Sequence, residues 1–224
     1  MSKEFAIADV MPGKLNALVK NIMQQTGTGD PNEAVRLVNS GEWILSKPTR
    51  SWHEENDIVY LPPFTTEGTT GEDWIYRLKS NGFHVGDDAQ QMLLSPFFRP
   101  SKPGTVIESV ILKSKLFHDD DHRTMTNIYG YARRAFLGPN KRKLMLPNAE
   151  LACLIRLNFT GEEIEAMGMG YIITVHEPIP NSHNTPYFLG VDSSGVDGGN
   201  RLNHRCASPG LPWGGSGGFA FELS

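Results

Sequence analysis

Hydrophobic residues recur at helical spacing through the first half of the chain, between segments rich in polar and turn-forming residues. This pattern predicts four helices, which cover residues 14–24, 31–40, 71–80 and 87–94. Asp30 and Thr70 stand at the N-cap positions of the second and third helices, where their side chains can accept from free backbone N–H groups. Short strands are predicted at Glu42–Ser46 and Ile58–Leu61, around a polar turn.

Strand and helix patterns alternate in the second half of the chain. The predicted strands, rich in branched and aromatic residues, are Thr105–Leu112, Tyr171–Val175 and Phe219–Leu223. The predicted helices are Asp119–Phe136, a segment opened by Pro147, and a short segment after Thr160, which can form a capping box with Glu163. The proline-containing stretch 97–104 reads as a linker. It divides the chain into a mainly helical region with a short hairpin, residues 1–103, and a second domain, residues 104–224.

The composition is that of a globular protein, since 39% of the 224 residues are hydrophobic and 21% are charged. No apolar run reaches the roughly 18 residues of a membrane span, and the first residues lack the basic and apolar regions of a signal peptide. The two cysteines are too few for a disulfide framework or a four-thiolate zinc site. A net charge of −4 argues against general electrostatic binding to nucleic acid. We therefore expect a soluble cytoplasmic monomer without a membrane partner.

Residues 178–221 differ in composition from the rest of the chain. They include no Lys, Glu, Gln or Met, yet they hold a large share of the 23 glycines. Trp213 stands inside the glycine-rich part, and the segment leads into an apolar strand at the C-terminus. Because the chain must return to its sheet, we expect a long ordered loop here, and long ordered loops are usually functional.

Several segments within residues 65–224 resemble the variable proteins of diversity-generating retroelements, above all the set from uncultured candidate-phylum bacteria. The segments are Thr105–Phe117, GTTGEDWIYRL (68–78), PNAELACLIRLNF (147–159), GEEIEAMG (161–168) and IITVHEPI (172–179). The most specific part is the C-terminal spacing of Leu202-Asn203, Pro209, Trp213 and Gly218-Phe219-Ala220-Phe221.

The resemblance implies an α+β C-type-lectin fold, related to that of the formylglycine-generating enzyme. Such a fold has helices flanking a small twisted antiparallel sheet, with long ordered C-terminal loops. The implied function is ligand binding rather than catalysis, without a cofactor. Adenine-directed mutagenesis of a template copy diversifies exposed residues, which then recognise changing protein or other macromolecular ligands. The resulting NNC codons cannot encode Lys, Glu, Gln, Met or Trp, which accounts for the missing residue types and makes Trp213 a framework residue.

The resemblance sorts the C-terminal residues into two sets. The framework positions are Leu202, Asn203, Pro209, Trp213, Gly218, Phe219, Ala220 and Phe221. The variable, ligand-binding positions are Ser193, Ser194, Asp197, Gly198, His204, Arg205, Cys206, Ala207, Ser208, Gly210, Leu211, Gly214, Gly215 and Ser216. We expect Trp213, Phe219 and Phe221 to be buried. The residues expected to be exposed together are Ser193, Ser194, His204, Arg205 and Ser208.

Two alternative functions use other residues. His118 and His122, four residues apart with acids between them, could ligate a metal together with His176 in a metal-dependent enzyme. The same acids are also what the start of a helix favours. Arg133-Arg134 and Lys141–Lys143 could form a basic patch of a nucleic-acid-binding accessory protein. The enzyme hypothesis predicts that the three histidines converge, whereas the nucleic-acid hypothesis predicts that the basic residues share one face.

Overall fold

The computed structural model describes residues 19–20, 22–23, 27–42, 50–180, 185–193 and 200–224. The chain divides into two compact units, Met1–Arg50 and Ser51–Ser224. In the first unit, helix α1 (Pro31–Asn39) is capped by the Asp30 side chain, which accepts from the backbone N–H of Asn32, as predicted. Most of the helix predicted at 14–24 and of the strand predicted at 42–46 lies outside the described residues.

The second unit is a mixed α/β structure built on one large sheet. Its helices are α2 (Gly71–Ser80), α3 (Asp87–Leu93), α4 (Met125–Arg134), α5 (Glu150–Asn158) and α6 (Gly161–Ala166). Its strands are β1 (His53–Glu55), β2 (Ile58–Tyr60), β3 (Phe64–Thr65), β4 (His84–Val85), β5 (Val106–Ile107), β6 (Ser109–Lys113), β7 (Phe136–Leu137), β8 (Arg142–Met145), β9 (Tyr171–Thr174), β10 (Ile179–Pro180), β11 (Pro186–Asp192), β12 (Arg201–Cys206) and β13 (Gly217–Leu223).

The sheet is larger than the small antiparallel one predicted. Among the described residues it has eleven strands, with the central order β1-β2-β6-β13-β9-β11-β12-β4. The strand β13 runs parallel to β9, and β12 runs parallel to β4, so the sheet is mixed. Strands β3 and β5 form a separate pair. The prediction fell short because many of these strands are only two to four residues long and give no periodic signal.

Hydrophobic side chains fill both faces of this sheet. On one face, α2, α3 and α5 pack against the sheet, with Trp74 and Ile155 meeting Leu202 and Ala220 in one cluster. On the other face, α4 supplies Met125 to a second cluster, which holds aromatic side chains of β13 and β11. Neighbouring residues of β13 therefore contribute to opposite clusters, as the alternation of a strand requires.

Residues 51–103 share a core with the residues that follow them. The buried carboxylate of Glu150 in α5 accepts from Trp74 Nε1 at 3.2 Å and from the backbone N–H of Ser101 at 2.9 Å. The division between compact units thus falls at Arg50, whereas the sequence placed a boundary at residue 103. A proline-containing stretch can connect two segments of one hydrophobic core as readily as it connects two separate domains.

Two predicted elements have different bounds in the structure. The helix predicted over Asp119–Phe136 begins only at Met125, because Thr124 is its N-cap and Asp119 instead caps a short 3₁₀ turn. The predicted long loop over 178–221 contains strands β11 and β12. Strand β11 is buried on both faces, so it lacks the polar–apolar alternation that marks a half-exposed strand. In the described residues, no helix is long and apolar enough to cross a membrane.

Candidate functional site

The candidate site consists of β12, the loop 207–216 and the start of β13. Strand β12 pairs with β11 along its whole length, but its contact with β4 involves only Arg201 and Leu202. The part of β12 after Leu202 therefore lies at an edge of the sheet in the described structure. The loop then leads back into β13 at the centre of the sheet.

The apolar framework residues are buried, as predicted. Trp213 is 8% exposed, and its ring meets that of Phe219 edge to face, with centroids 6.0 Å apart. The backbone N–H of Trp213 donates to the carbonyl of Arg123 at 2.9 Å. Phe221 and Leu202 are buried too, whereas Asn203 is half-buried and Pro209 is exposed. The loop is therefore anchored by an aromatic side chain at its middle.

Backbone hydrogen bonds attach the loop at three further points. The N–H of Ala207 donates to the carbonyl of Pro186 at 2.9 Å, and the N–H of Thr126 donates to that of Pro209 at 3.3 Å. The N–H of Gly170 donates to the carbonyl of Ser216 at 2.7 Å. On the loop side each of these bonds uses a main-chain group, so it does not depend on which side chain the loop residue carries.

The glycines of this segment fall into two groups by the space around them. A methyl group at Gly210 would meet nothing within 4 Å, and at Gly214 it would lie 3.5 Å from the Tyr171 hydroxyl. At Gly215 its nearest neighbour would be the end of the Arg123 side chain, at 3.3 Å. None of these three glycines has a positive φ. At Gly218, by contrast, a methyl group would lie 2.3 Å from Met169 Sδ and 2.5 Å from a side-chain carbon of Ile111.

Two residues of the predicted variable set are buried, which corrects their expected exposure. Ser193 is 4% exposed, and both its N–H and its hydroxyl donate to the carbonyl of Gly170, at 2.9 and 3.0 Å. Ala207 is 6% exposed and packs in the cluster of Trp213. The positions Ser194, Asp197 and Gly198 lie outside the described residues. The resemblance placed Ser193 among the exposed variable residues, but a serine that bonds the backbone can be buried at little cost.

Strand alternation separates the remaining variable residues of β12. His204 lies opposite Leu189, Nε2 is 3.4 Å from an Asp88 carboxylate oxygen, and the ring stacks edge to face on Tyr187. Cys206 shares that face of the strand and lies 3.2 Å from the Ser208 hydroxyl, measured from Sγ to Oγ. The expected joint exposure of His204, Arg205 and Ser208 is not found, because all three side chains are half-buried, as is Cys206. The exposed members of the set are Gly210, Leu211, Gly214, Gly215 and Ser216.

Arg205 points to the opposite face, where it joins a polar network. It shares that face with Phe188 of β11, its partner across the strand pair. One guanidinium nitrogen lies 2.5 Å from Asp192 Oδ1, and the other carboxylate oxygen of Asp192 accepts from Asn203 Nδ2 at 3.0 Å. The Arg205 guanidinium also lies 5.7 Å from the centre of the Tyr171 ring.

Sequence reasoning missed Asp192 and Tyr171 as members of this site. Asp192 follows an apolar run, Tyr187–Val191, and a charged residue that ends such a run is a signal of a buried ion pair. Tyr171 gave no comparable signal, because an aromatic residue at the start of a strand is ordinary. Burial raises the pKa of the Tyr171 hydroxyl, which donates to the carbonyl of Gly214 at 3.2 Å.

The histidines of the enzyme hypothesis differ in surroundings. His118 and His122 are exposed, and His122 Nδ1 lies 2.6 Å from Asp119, whose pKa this contact lowers. His176 is buried, and its Nε2 accepts from the backbone N–H of Leu189, so its Nδ1 carries the proton that is shared with the carbonyl of Glu177. Burial lowers the pKa of His176 to about 4. Within the described part of the chain, no three His, Cys, Asp or Glu side chains are placed to hold a metal ion.

The basic residues of the nucleic-acid hypothesis lie on α4 and on the β7–β8 hairpin. Helix α4 packs against β8, which brings Arg133-Arg134 and Lys141–Lys143 into one region. Arg142 is committed to the fold, because its guanidinium donates to the carbonyls of Leu223 and Ser224 and pairs with Glu108. Lys143 lies over the ring of Phe136 at 6.0 Å. Both basic side chains therefore make contacts within the fold.

Comparison of the chain with protein-family models, with curated proteins and with solved structures found no match.

Proposed function

We propose that this protein is a ligand-binding variable protein of a diversity-generating retroelement, with a fold related to C-type lectins and no catalytic role. Its ligand is a protein or another macromolecule, bound by side chains of β12 and the loop 207–216 in the cytoplasm. The observation that carries the proposal is the partition of the glycines. Of the variable glycines that the structure describes, Gly210 and Gly214 have room for a methyl group, and one at Gly215 would press only on the end of the Arg123 side chain. At Gly218, a framework position, a methyl group would overlap core side chains.

This partition matters because diversification requires positions that tolerate many side chains. Gly210 sits in open space with an ordinary φ, so a larger residue adds neither a clash nor backbone strain there. Leu211 is 47% exposed beside it. The backbone bonds and the buried indole of Trp213 hold the loop without using these side chains. A surface with this property can change its ligand while it keeps its fold.

Fewer of the variable residues are exposed than the sequence indicated. Ser193 and Ala207 are buried and belong with the frame. The exposed loop residues supply the surface, and the half-buried side chains of His204, Arg205 and Cys206 lie at its border. Because glycine and serine dominate this copy, it offers few of the aromatic side chains that usually carry binding energy.

The test is a library in which the exposed residues Gly210, Leu211, Gly214 and Ser216 are replaced together by NNC-encoded residues, and thermal unfolding is measured for each member. Exposed substitutions typically change the free energy of unfolding by about 0.5 kcal/mol or less, so most members should melt near the parent. A matched library carries the same residue types at buried positions.

The buried positions of the matched library are Ser193, Ala207 and Gly218, and its members should mostly unfold or aggregate. If the first library behaves like the second, the loop has sequence demands of its own. The variable-receptor proposal would then be abandoned.

A further inference from the structure

The ion pair between Arg205 of β12 and Asp192 of β11 has a geometry suited to ligand recognition. The Asp192 carboxylate lies 2.5 Å from the Arg205 guanidinium, which also stands 5.7 Å from the centre of the Tyr171 ring. A carboxylate and an aromatic face on either side of a cation are the two elements of cation recognition in proteins. Here the cation comes from the chain itself.

The carboxylate and the ring are held by groups other than Arg205. Asn203 Nδ2 donates to the second Asp192 oxygen at 3.0 Å, and Arg156 Nη1 donates to the Asp192 backbone carbonyl at 3.0 Å. The Tyr171 hydroxyl donates to the carbonyl of Gly214 at 3.2 Å. Removal of the Arg205 side chain therefore leaves the two partners in place, and since that side chain is 33% exposed, the space it occupies connects to solvent.

We propose that Asp192 and Tyr171 form a socket for a guanidinium or ammonium group, which Arg205 fills in this copy. In copies with a small residue at position 205, the socket is open to an arginine or lysine side chain of a protein ligand. This inference rests on the proposed function only where it treats position 205 as variable. Residue 205 then acts as a switch between a closed and an open socket.

The burial of the carboxylate explains why the socket selects a cation. The Asp192 side chain is only 13% exposed, so without Arg205 a charge with little water around it has lost its ion-pair partner. Three other arginines lie near the socket, and each is engaged elsewhere. Arg156 donates to the backbone carbonyls of Asp192 and Phe159, and Arg201, across the strand pair from Asp192, donates to His84 Nδ1. Arg123, beside Tyr171, pairs with Asp120 and donates to the carbonyl of Trp213. An external guanidinium can thus replace Arg205 without displacing another side chain.

The experiment compares the full-length parent with Arg205→Ser in calorimetric titrations. The probe is N-acetyl-arginine-N-methylamide, and its neutral isostere N-acetyl-citrulline-N-methylamide is the control ligand. Arg205→Ser should bind the arginine probe about tenfold more tightly than the parent does, and also about tenfold more tightly than it binds the citrulline probe. The double variant Arg205→Ser/Asp192→Asn should lose this preference.

Equal affinity of the parent and Arg205→Ser for the arginine probe would overturn the socket, and so would equal affinity of Arg205→Ser for both probes. Thermal melts establish that each variant is folded, and Arg205→Asn serves with the same expectation if the serine variant is not. The result is distinct from that of the loop library. A socket that binds guanidinium in a protein whose loop library unfolds would refute the variable-receptor proposal and leave the socket intact.

Discussion

Truncation of Trp213 to alanine tests whether its buried indole stabilises the C-terminal loop. The indole is 8% exposed and packs edge to face on Phe219 at 6.0 Å. Loss of a buried Trp side chain costs about 3–5 kcal/mol, since the neighbours close the cavity only in part. Among the described residues Nε1 has no hydrogen-bond partner, and its removal offsets roughly 1 kcal/mol of that loss. We expect a net loss of about 2–4 kcal/mol.

Urea unfolding followed by far-ultraviolet circular dichroism measures this loss directly. Two matched variants accompany it. Leu211→Ala changes an exposed apolar residue of the same loop and should cost about 0.5 kcal/mol or less. Trp213→Phe keeps an aromatic ring against Phe219 and should fall between the other two. A loss below about 1 kcal/mol for Trp213→Ala, or equal losses for Trp213→Ala and Leu211→Ala, would refute the anchoring role.

Three further predictions concern the frame around the site. His176 stays neutral in the fold with a pKa of about 4, whereas the unfolded chain protonates it near 6.5, so stability should fall by up to about 3 kcal/mol as pH drops from 6.5 to 4. His176→Gln should flatten that part of the pH profile of unfolding. Gly218→Ala should cost about 1–3 kcal/mol in urea unfolding, because the new methyl group overlaps core side chains, and a neutral result would remove its framework role. Thr160→Ala removes the hydroxyl that accepts from the Glu163 backbone N–H in a capping box and should lower the unfolding free energy by about 1 kcal/mol, with Thr160→Ser as the control that retains this acceptor.

Local signals in the sequence predicted the helices well. Thr70 and Thr160 cap their helices through the backbone N–H three residues on, as their positions indicated. These predictions succeed because a cap and the turn it stabilises are neighbours in sequence. The helix expected to start at Asp119 shows the limit of such signals, since three acids favour a helix start but Thr124 provides the better cap.

The sheet was harder to predict, because its order depends on contacts far apart in sequence. Strand β13 lies between β6 and β9, and no feature of Gly217–Leu223 identifies those neighbours. Short strands such as β4 and β10 have two residues each and carry no periodicity. Strand β11 is buried along most of its length, so its sequence lacks the polar–apolar alternation by which a half-exposed strand is recognised.

The site shows the same division between local and distant information. Trp213 and Phe219 are buried, as their framework positions indicated, because large aromatic side chains are usually found in the interior. The sequence placed Ser193 with the exposed residues, although its hydroxyl bonds the distant carbonyl of Gly170. It also gave no indication that Asp192 would meet Arg205, since that pair arises from the register of β11 and β12.

Sequencing the DNA around the gene shows whether a retroelement diversifies this binding surface. Such diversification requires a near-identical template repeat beside a reverse-transcriptase gene. Differences between the two copies should fall at template adenines, in codons such as those of Arg205, Gly210 and Leu211, and should spare Trp213. Differences that scatter over all four bases, or that fall equally on the codons of Trp213 and Phe219, would contradict it.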